Sequence, residues 1–169
     1  MKPRHTLLLL AAVCIAPVAL GTAAYLFGWG VGSSGNYGEL LPPRPVSAPG
    51  LAALRGKWVL VSFDAAACDA YCERKLYFMR QVRRAQGKEM GRVERLWVLT
   101  DGGKPRAELL AAIEGTQISS DKLDFPGNHA DHIYLVDPLG NLMLRFPRDP
   151  DPSRMLKDLQ RLLKASRIG

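Results

Sequence analysis

The sequence predicts one α/β domain with parallel strand pairing and an antiparallel edge, preceded by a single apolar helix. Three observations predict this class: a long uncharged N-terminal segment, alternating β-rich and helical patterns after it, and a globular composition with 47% hydrophobic residues. A chain of 169 residues suits one compact domain with an attachment and is too short for two ordinary enzyme domains. Three cysteines are too few for a disulfide-stapled mini-protein, which excludes that class.

The N-terminal segment Thr6–Gly30 contains no charged residue, and Leu7–Phe27 is almost entirely apolar. This run is just long enough to cross a bilayer as a helix, which needs about 20 apolar residues. Lys2 and Arg4 precede it, so the positive-inside rule keeps the N-terminus in the cytoplasm and sends the remainder across. We therefore predict a membrane anchor over residues 1–30, in a bacterial-type inner membrane with the head on the periplasmic side.

A cleaved signal peptide is the competing interpretation of this segment. The apolar region of a signal peptide usually spans about 7–15 residues, which is shorter than the run found here. Tyr25, Phe27 and Trp29 also lie where an interfacial aromatic belt would be expected. A lipid-attachment box at Cys14 is disfavoured, because Val13 stands where a Gly or Ala is needed.

Residues 31–50 are rich in Gly and Ser and then in Pro, ending in Leu-Leu-Pro-Pro-Arg-Pro-Val-Ser-Ala-Pro-Gly. Several prolines in so short a segment favour an extended, semi-rigid chain. We therefore predict a linker here, which sets a globular head over residues 51–169 some distance from the membrane.

The head shows alternating strand and helix patterns. The predicted elements are a strand at Trp58–Phe63, a helix at about 70–86, a strand at Val93–Thr100, a short helix from Pro105 to Ile113, a polar loop at Thr116–Asn128, strands at His132–Val136 and Leu142–Phe146, and an amphipathic helix at Ser153–Ser166. Alternation implies parallel pairing with right-handed crossovers, and the closing hairpin adds an antiparallel edge. This is the order of a thioredoxin-like fold.

Cys68 and Cys72 follow the first predicted strand and stand at the start of the next helix. In a thioredoxin-like fold, this is where the reactive cysteines lie. Their spacing places them one helical turn apart on the same face, where they can form a disulfide or hold a soft metal ion between two thiolates. A helix N-terminus also stabilises a thiolate. Two buried small residues, or a purely structural disulfide, are the alternatives.

His129 and His132 lie just before and at the start of the next strand, opposite the cysteine loop in this fold. Two thiolates and one imidazole suit copper, because the cuprous ion prefers soft sulfur ligands. A structural zinc site would normally take a fourth protein ligand. The alternative is that each histidine only caps or hydrogen-bonds a loop.

The head resembles the Sco family of membrane-anchored, thioredoxin-fold proteins that deliver copper during cytochrome c oxidase assembly. The resemblance rests on Gly56-Lys57-Trp58, Cys68-x-x-x-Cys72, Leu99-Thr100-Asp101 with Pro105 nearby, and His129 ahead of Tyr134-Leu135-Val136-Asp137-Pro138-x-Gly140. It implies a copper site formed by Cys68, Cys72 and His129. Two departures stand out: Glu73 occupies the place of a family proline, and the acidic loop after Asp101 is shortened to Gly-Gly-Lys.

The identity of the histidine ligand is less firmly specified than that of the cysteines. His129 matches the Sco pattern by its distance to Tyr134 and Gly140, and its loop position would let it turn toward a metal. The direction of His132 depends on the pleat register of the strand that it begins. We expect His129 to be the ligand, with His132 as the alternative.

Three functions follow from these patterns. The first is a membrane-tethered copper-binding assembly factor, with the copper-centre subunit of a cytochrome c oxidase as its partner. The second is a thiol–disulfide oxidoreductase acting on copper-site cysteines, which needs only Cys68 and Cys72. The third is a non-catalytic interaction module, which would use a basic helix face consisting of Arg74, Lys75, Arg80, Arg83 and Arg84. The net charge of +7 is spread along the chain and does not predict nucleic-acid binding.

Overall fold

The computed structural model describes residues 3–27 and 35–168, in two compact units, Met1–Gly35 and Asn36–Gly169. In the first unit, helix α1 spans Pro3–Leu26, and its stretch Leu9–Leu26 has a mean hydropathy of 2.1. This helix is long and apolar enough to cross a membrane. The predicted N-terminal apolar helix, a candidate membrane span, is therefore confirmed.

Two residues used in that prediction, Lys2 and Trp29, lie outside the described residues. Pro17 lies inside α1. A membrane helix tolerates such a proline, because neighbouring groups and small local adjustments satisfy the backbone groups that it frees.

In its described part, the second unit forms one six-stranded sheet with four α-helices. The elements are β1 (Glu39–Pro45), α2 (Pro49–Ala52), β2 (Trp58–Asp64), α3 (Ala70–Arg84), β3 (Val93–Leu99), α4 (Ala107–Ala112), β4 (Gln117–Ser119), β5 (Ile133–Val136), β6 (Asn141–Arg145) and α5 (Pro152–Ala165). The strand order is β1-β6-β5-β2-β3-β4. Short 3-10 turns at Gly87–Arg92 and His129–Asp131 precede β3 and β5.

The predicted parallel pairing and the predicted closing hairpin are both present, but the first strand of the hairpin also pairs antiparallel with β2. β2 pairs parallel with β3, and β3 pairs parallel with β4. β5 pairs antiparallel with both β2 and β6. Together, β5 and β6 form the closing hairpin. The predicted thioredoxin-like α/β order is therefore confirmed, with element ends that shift by a few residues at most.

The core has two layers because both faces of the central strands are covered. Along β2, Leu60 packs in a cluster with residues of α3, α4 and α5, whereas its neighbours Val59 and Val61 pack in a second cluster with Leu51 and Phe125. Successive strand residues point to opposite faces. Every residue of β2 is buried, which explains why this strand is mostly apolar rather than alternating between apolar and polar residues.

Two segments differ from the sequence prediction. Residues 31–50 are not a linker throughout, because β1 pairs antiparallel with β6 at the sheet edge. The backbone N–H groups of Tyr37 and Gly38 each donate to the Asp158 carboxylate at 2.8 Å. The structure therefore moves the start of the head from residue 51 to residue 36, while residues 31–34 lie outside the described part of the chain.

The second difference is β4, which lies inside the predicted polar loop Thr116–Asn128. Both missed strands lie at an edge of the sheet. An edge strand needs backbone pairing on one side only, so it accommodates the prolines of β1 and the largely exposed residues of β4.

Candidate redox and metal site

Cys68 and Cys72 form a disulfide, and their side chains are 3% and 1% exposed. Cys68 lies in the loop after β2, where its φ of +45° falls in the left-handed region that residues other than glycine rarely adopt. Cys72 lies in the first turn of α3, and its N–H donates to the capping carboxylate of Asp69 at 2.8 Å. The predicted disulfide is therefore present, and it joins a loop residue to a helix residue.

The cysteine loop, residues 65–69, is held from the segment that connects β3 to α4. The Asp101 carboxylate accepts hydrogen bonds from the backbone N–H groups of Ala66 at 3.0 Å and Gly103 at 3.1 Å. These two hydrogen bonds lower the pKa of Asp101 below its ordinary value. Asp101 belongs to the sequence pattern that resembles the Sco family, and here it fixes the backbone before Cys68.

Arg106 contacts the same loop from the N-terminus of α4. Its guanidinium donates to the carbonyl oxygen of Ala67 at 2.8 Å and to that of Cys68 at 3.4 Å. It also forms an ion pair with Glu73, the residue at which the chain departs from the Sco pattern. Sequence reasoning did not identify Arg106, because a basic residue at the start of a short helix carries no distinguishing signal.

A buried ion pair joins the end of β2 to α3. Lys75 Nζ lies 2.9 Å from Asp64 Oδ2, and the two side chains are 1% and 9% exposed. The Ser62 hydroxyl donates to the same carboxylate oxygen at 2.7 Å. Burial raises the pKa of Asp64, whereas the charge of Lys75 opposes that shift.

The basic helix face expected from the sequence is largely neutralised. Lys75 is buried against Asp64, Arg74 pairs with Asp149 at 2.8 Å, and Arg83 pairs with Glu94 at 3.3 Å. The five basic residues between positions 74 and 84 therefore do not form one uniformly positive surface.

The structure gives both histidines backbone partners. His129 Nε2 lies 2.5 Å from the carbonyl oxygen of Phe125, and its ring packs on Phe63 with 4.8 Å between ring centroids. His132 Nδ1 lies 2.8 Å from the carbonyl oxygen of Phe146. Each histidine thus makes a hydrogen bond to the backbone, which is the predicted alternative to metal binding.

Two side chains of α3 tie the histidine turn, His129–Asp131, to the helix that carries Cys72. Lys75 Nζ donates to the carbonyl oxygen of Ala130 at 2.5 Å, and the Tyr71 hydroxyl donates to that of Asp131 at 2.9 Å. The two candidate halves of the site are therefore attached to one helix.

Over residues 3–27 and 35–168, no three side chains of His, Cys, Asp or Glu are grouped closely enough to hold a metal ion. The structure brings Cys68 and Cys72 together, but it adds neither His129 nor His132 to them in this disulfide form. The donor chemistry still fits a soft ion, because reduction would free two sulfur ligands.

Comparison with known proteins identifies the head. Residues 58–166 match the family model described as "Transmembrane-like, thioredoxin-like, C-terminal domain". A search of curated protein sequences finds no match to the chain.

Three solved structures show a similar fold. Apo Sco1 from Thermus thermophilus is 21% identical with a TM-score of 0.58, covering 75% of this chain and 96% of that one. Copper-bound yeast Sco1 is 16% identical with a TM-score of 0.54, covering 79% and 96%. Copper-bound ScoI from Bradyrhizobium japonicum is 20% identical with a TM-score of 0.51, covering 73% and 99%. These likenesses confirm the predicted fold and the resemblance to Sco proteins.

Proposed function

The chain belongs to the family of transmembrane-like proteins with a thioredoxin-like C-terminal domain, and from this premise we propose that it is a membrane-tethered copper-binding assembly factor. Cys68 and Cys72 are the proposed sulfur ligands. The observation that carries the proposal is their pairing, as a buried disulfide directly after β2, in a head whose fold resembles copper-bound Sco proteins.

Copper binding at this pair requires prior reduction. Two electrons and two protons convert the disulfide into two thiols, and the thiolates then offer the soft ligands that a cuprous ion prefers. The position of Cys72 favours this ionisation, because the N-terminal turn of a helix stabilises a thiolate.

His129 is the proposed third ligand. It is half-buried and borders an open groove of about 520 Å³ at the ends of β2 and β3. Nε2 would have to give up its contact with the Phe125 carbonyl before it could bind a metal. His132 is the alternative ligand and would likewise have to release the Phe146 carbonyl through Nδ1.

The proposed location is a bacterial-type inner membrane, with the head on the periplasmic side and a copper-centre subunit of cytochrome c oxidase as the client. The apolar helix α1 and the basic Arg4 near its start support this orientation. The Cys68–Cys72 disulfide supports it too, since disulfides persist outside the reducing cytoplasm. Protease added to intact spheroplasts should digest the head; a protected head would contradict this topology.

A thiol–disulfide oxidoreductase is the second candidate function. The observation that favours it is specific: the cysteines are already bonded, whereas both histidines are held by backbone carbonyls. This function needs the sulfur pair alone and would survive loss of both histidines.

Anaerobic titration with Cu(I), against a chromophoric Cu(I) chelator, tests the first function. The full chain in detergent should carry Cys14→Ser in every sample, because Cys14 is a free, exposed thiol. The reduced protein should bind one ion, and Cys68→Ser or Cys72→Ser should abolish binding at that affinity. Full binding by either serine variant would contradict the proposed site. An absence of copper binding combined with reversible disulfide exchange would select the oxidoreductase instead.

A further inference from the structure

We propose that Glu73 and Arg106 form a clamp that holds the cysteine loop in its disulfide-bonded conformation and thereby sets the thiol–disulfide equilibrium of Cys68 and Cys72. The inference rests on the proposed function and deepens it, because it assigns two positioning residues to the same cysteine pair. Neither residue belongs to the proposed ligand set.

The clamp and the disulfide connect the same two parts of the chain, the cysteine loop and the first turn of α3. On one side, the Arg106 guanidinium contacts the carbonyl oxygens of Ala67 and Cys68. On the other side, it pairs with Glu73, the residue that directly follows Cys72. A guanidinium suits this role, because its planar fork of donors can bind several oxygens at fixed angles.

The backbone of Cys68 explains why the clamp favours one redox state. Its φ of +45° is unfavourable for a residue with a Cβ atom, and the disulfide to Cys72 helps to retain it. Breaking the S–S bond frees Cys68 to return to an ordinary backbone conformation, which turns its carbonyl group away from Arg106. The hydrogen bonds of Arg106 are therefore stronger in the disulfide form, and only such a difference between states can shift an equilibrium.

The described contacts of Arg106 are all to carbonyl or carboxylate oxygens. Its effect on the sulfurs therefore passes through the backbone of the loop. The clamp also gives a physical role to the departure from the Sco pattern at Glu73. A charged side chain that binds Arg106 stands where that pattern has a proline.

Equilibration with reduced and oxidised dithiothreitol measures the effect. In this exchange the Sγ–Sγ bond breaks, each cysteine sulfur gains one electron and one proton, and dithiothreitol becomes its cyclic disulfide. The full chain carrying Cys14→Ser is equilibrated in detergent, quenched with an alkylating agent and analysed by mass spectrometry. Arg106→Ala should shift the equilibrium constant about tenfold toward the dithiol form, which raises the reduction potential by about 30 mV.

Two further variants isolate the clamp. Glu73→Gln removes the ion pair but leaves the Arg106 contacts with the loop, so a smaller shift in the same direction is expected. Arg74→Ala is the matched control, because Arg74 is a neighbouring, half-exposed arginine that pairs with Asp149 instead of the cysteine loop. Its equilibrium constant should stay within about twofold of the parent value, which is less than 0.5 kcal/mol.

Thermal unfolding separates the clamp from a general loss of stability. The clamp predicts that Arg106→Ala lowers the Tm of the disulfide form more than that of the dithiol form. An unchanged equilibrium constant, or one that moves equally in Arg74→Ala, would overturn the inference. If Arg106→Ala does not fold, an unchanged equilibrium constant in Glu73→Gln would overturn the inference as well.

Copper titration of the parent protein is an independent measurement. A shifted equilibrium constant without copper binding would refute only the proposed copper function. Copper binding with an unchanged equilibrium constant would refute only the clamp.

Discussion

The cysteine loop and the histidine turn lie next to the same helix but differ in how completely they are assembled. The loop has its two sulfurs joined, and Asp101 and Arg106 hold its backbone. The turn is attached to α3 through Lys75 and Tyr71, but the imidazole of His129 is occupied by a backbone carbonyl. Thiol chemistry at this site therefore needs the cysteine pair alone, whereas a three-ligand metal site needs reduction and a movement of the histidine as well.

Replacing Lys75, the buried residue of α3 that contacts both Asp64 and the histidine turn, should lower the stability of the protein most. Lys75→Met leaves Asp64 buried and unpaired and also removes the contact with Ala130. Breaking a buried ion pair on one side costs about 3–5 kcal/mol, so the free energy of unfolding should fall by that amount. Chemical denaturation of the full chain in detergent, followed by tryptophan fluorescence, measures it.

The double variant Asp64→Asn, Lys75→Met is the control, because it removes both charges and should recover part of the loss. Arg74→Ala breaks an exposed pair instead and should cost at most about 1 kcal/mol. A Lys75→Met protein as stable as Arg74→Ala would show that the buried pair does not join β2 to α3 as described.

Replacing the histidines tests whether the less assembled region completes the metal site. His129→Ala should weaken Cu(I) binding by the reduced chain at least about tenfold, or 1.4 kcal/mol, because one ligand is lost. His132→Ala should leave the affinity close to that of the parent protein. Competition with a Cu(I) chelator gives both affinities. Loss only in His132→Ala would transfer the role to that residue, and two unchanged affinities would exclude an imidazole ligand.

Protonation of Asp101 in acid should lower the stability that its hydrogen bonds give to the cysteine loop. This effect should be smaller than those of the substitutions above. Hydrogen bonds from backbone N–H groups lower the pKa of this carboxyl in the folded state below its ordinary value of 3.8. Its contribution to stability is therefore present above pH 3.8 and is lost as the pH falls through the lower folded-state pKa. Asp101→Asn should lower the Tm at neutral pH and approach the parent Tm in acid. A difference in Tm that is constant with pH would contradict this.

Asp64, which directly precedes the cysteine loop, provides the opposite case. Its pKa is raised by burial, so its contribution to stability is greatest when it is protonated and declines as the pH rises through the folded-state pKa. The two carboxyl groups beside the cysteine loop thus respond to acid with opposite signs.

The central elements of the head could be predicted because their patterns are local. The apolar run of β2 and the spacing of apolar residues in α3 identify a strand and a helix without knowledge of their partners. The sequence did not predict β1, because its prolines indicate an extended linker. Only its pairing with β6 makes it a strand. Its place in the sheet depends on residues about 100 positions away in the chain, which local patterns do not reveal.

In the candidate site, the cysteine pair could be predicted from the sequence, whereas most of the contacts that hold it in place could not. The burial of Lys75 did have a signal, since it stands three residues after Cys72 and four before Met79, on the apolar face of α3. The sequence carries no signal for the roles of Arg106 and Glu73, because these roles arise only where α4 approaches the cysteine loop. The hydrogen bond of His129 likewise depends on the fold of the loop before it.

Anaerobic Cu(I) titration of the full chain, first with the disulfide intact and then after reduction, tests the difference between the two regions most directly. We expect no binding at the Cys68–Cys72 site in the oxidised protein and one ion per chain after reduction, with Cys14→Ser present in both samples. Equal binding in the two redox states, or no binding after reduction, would contradict it.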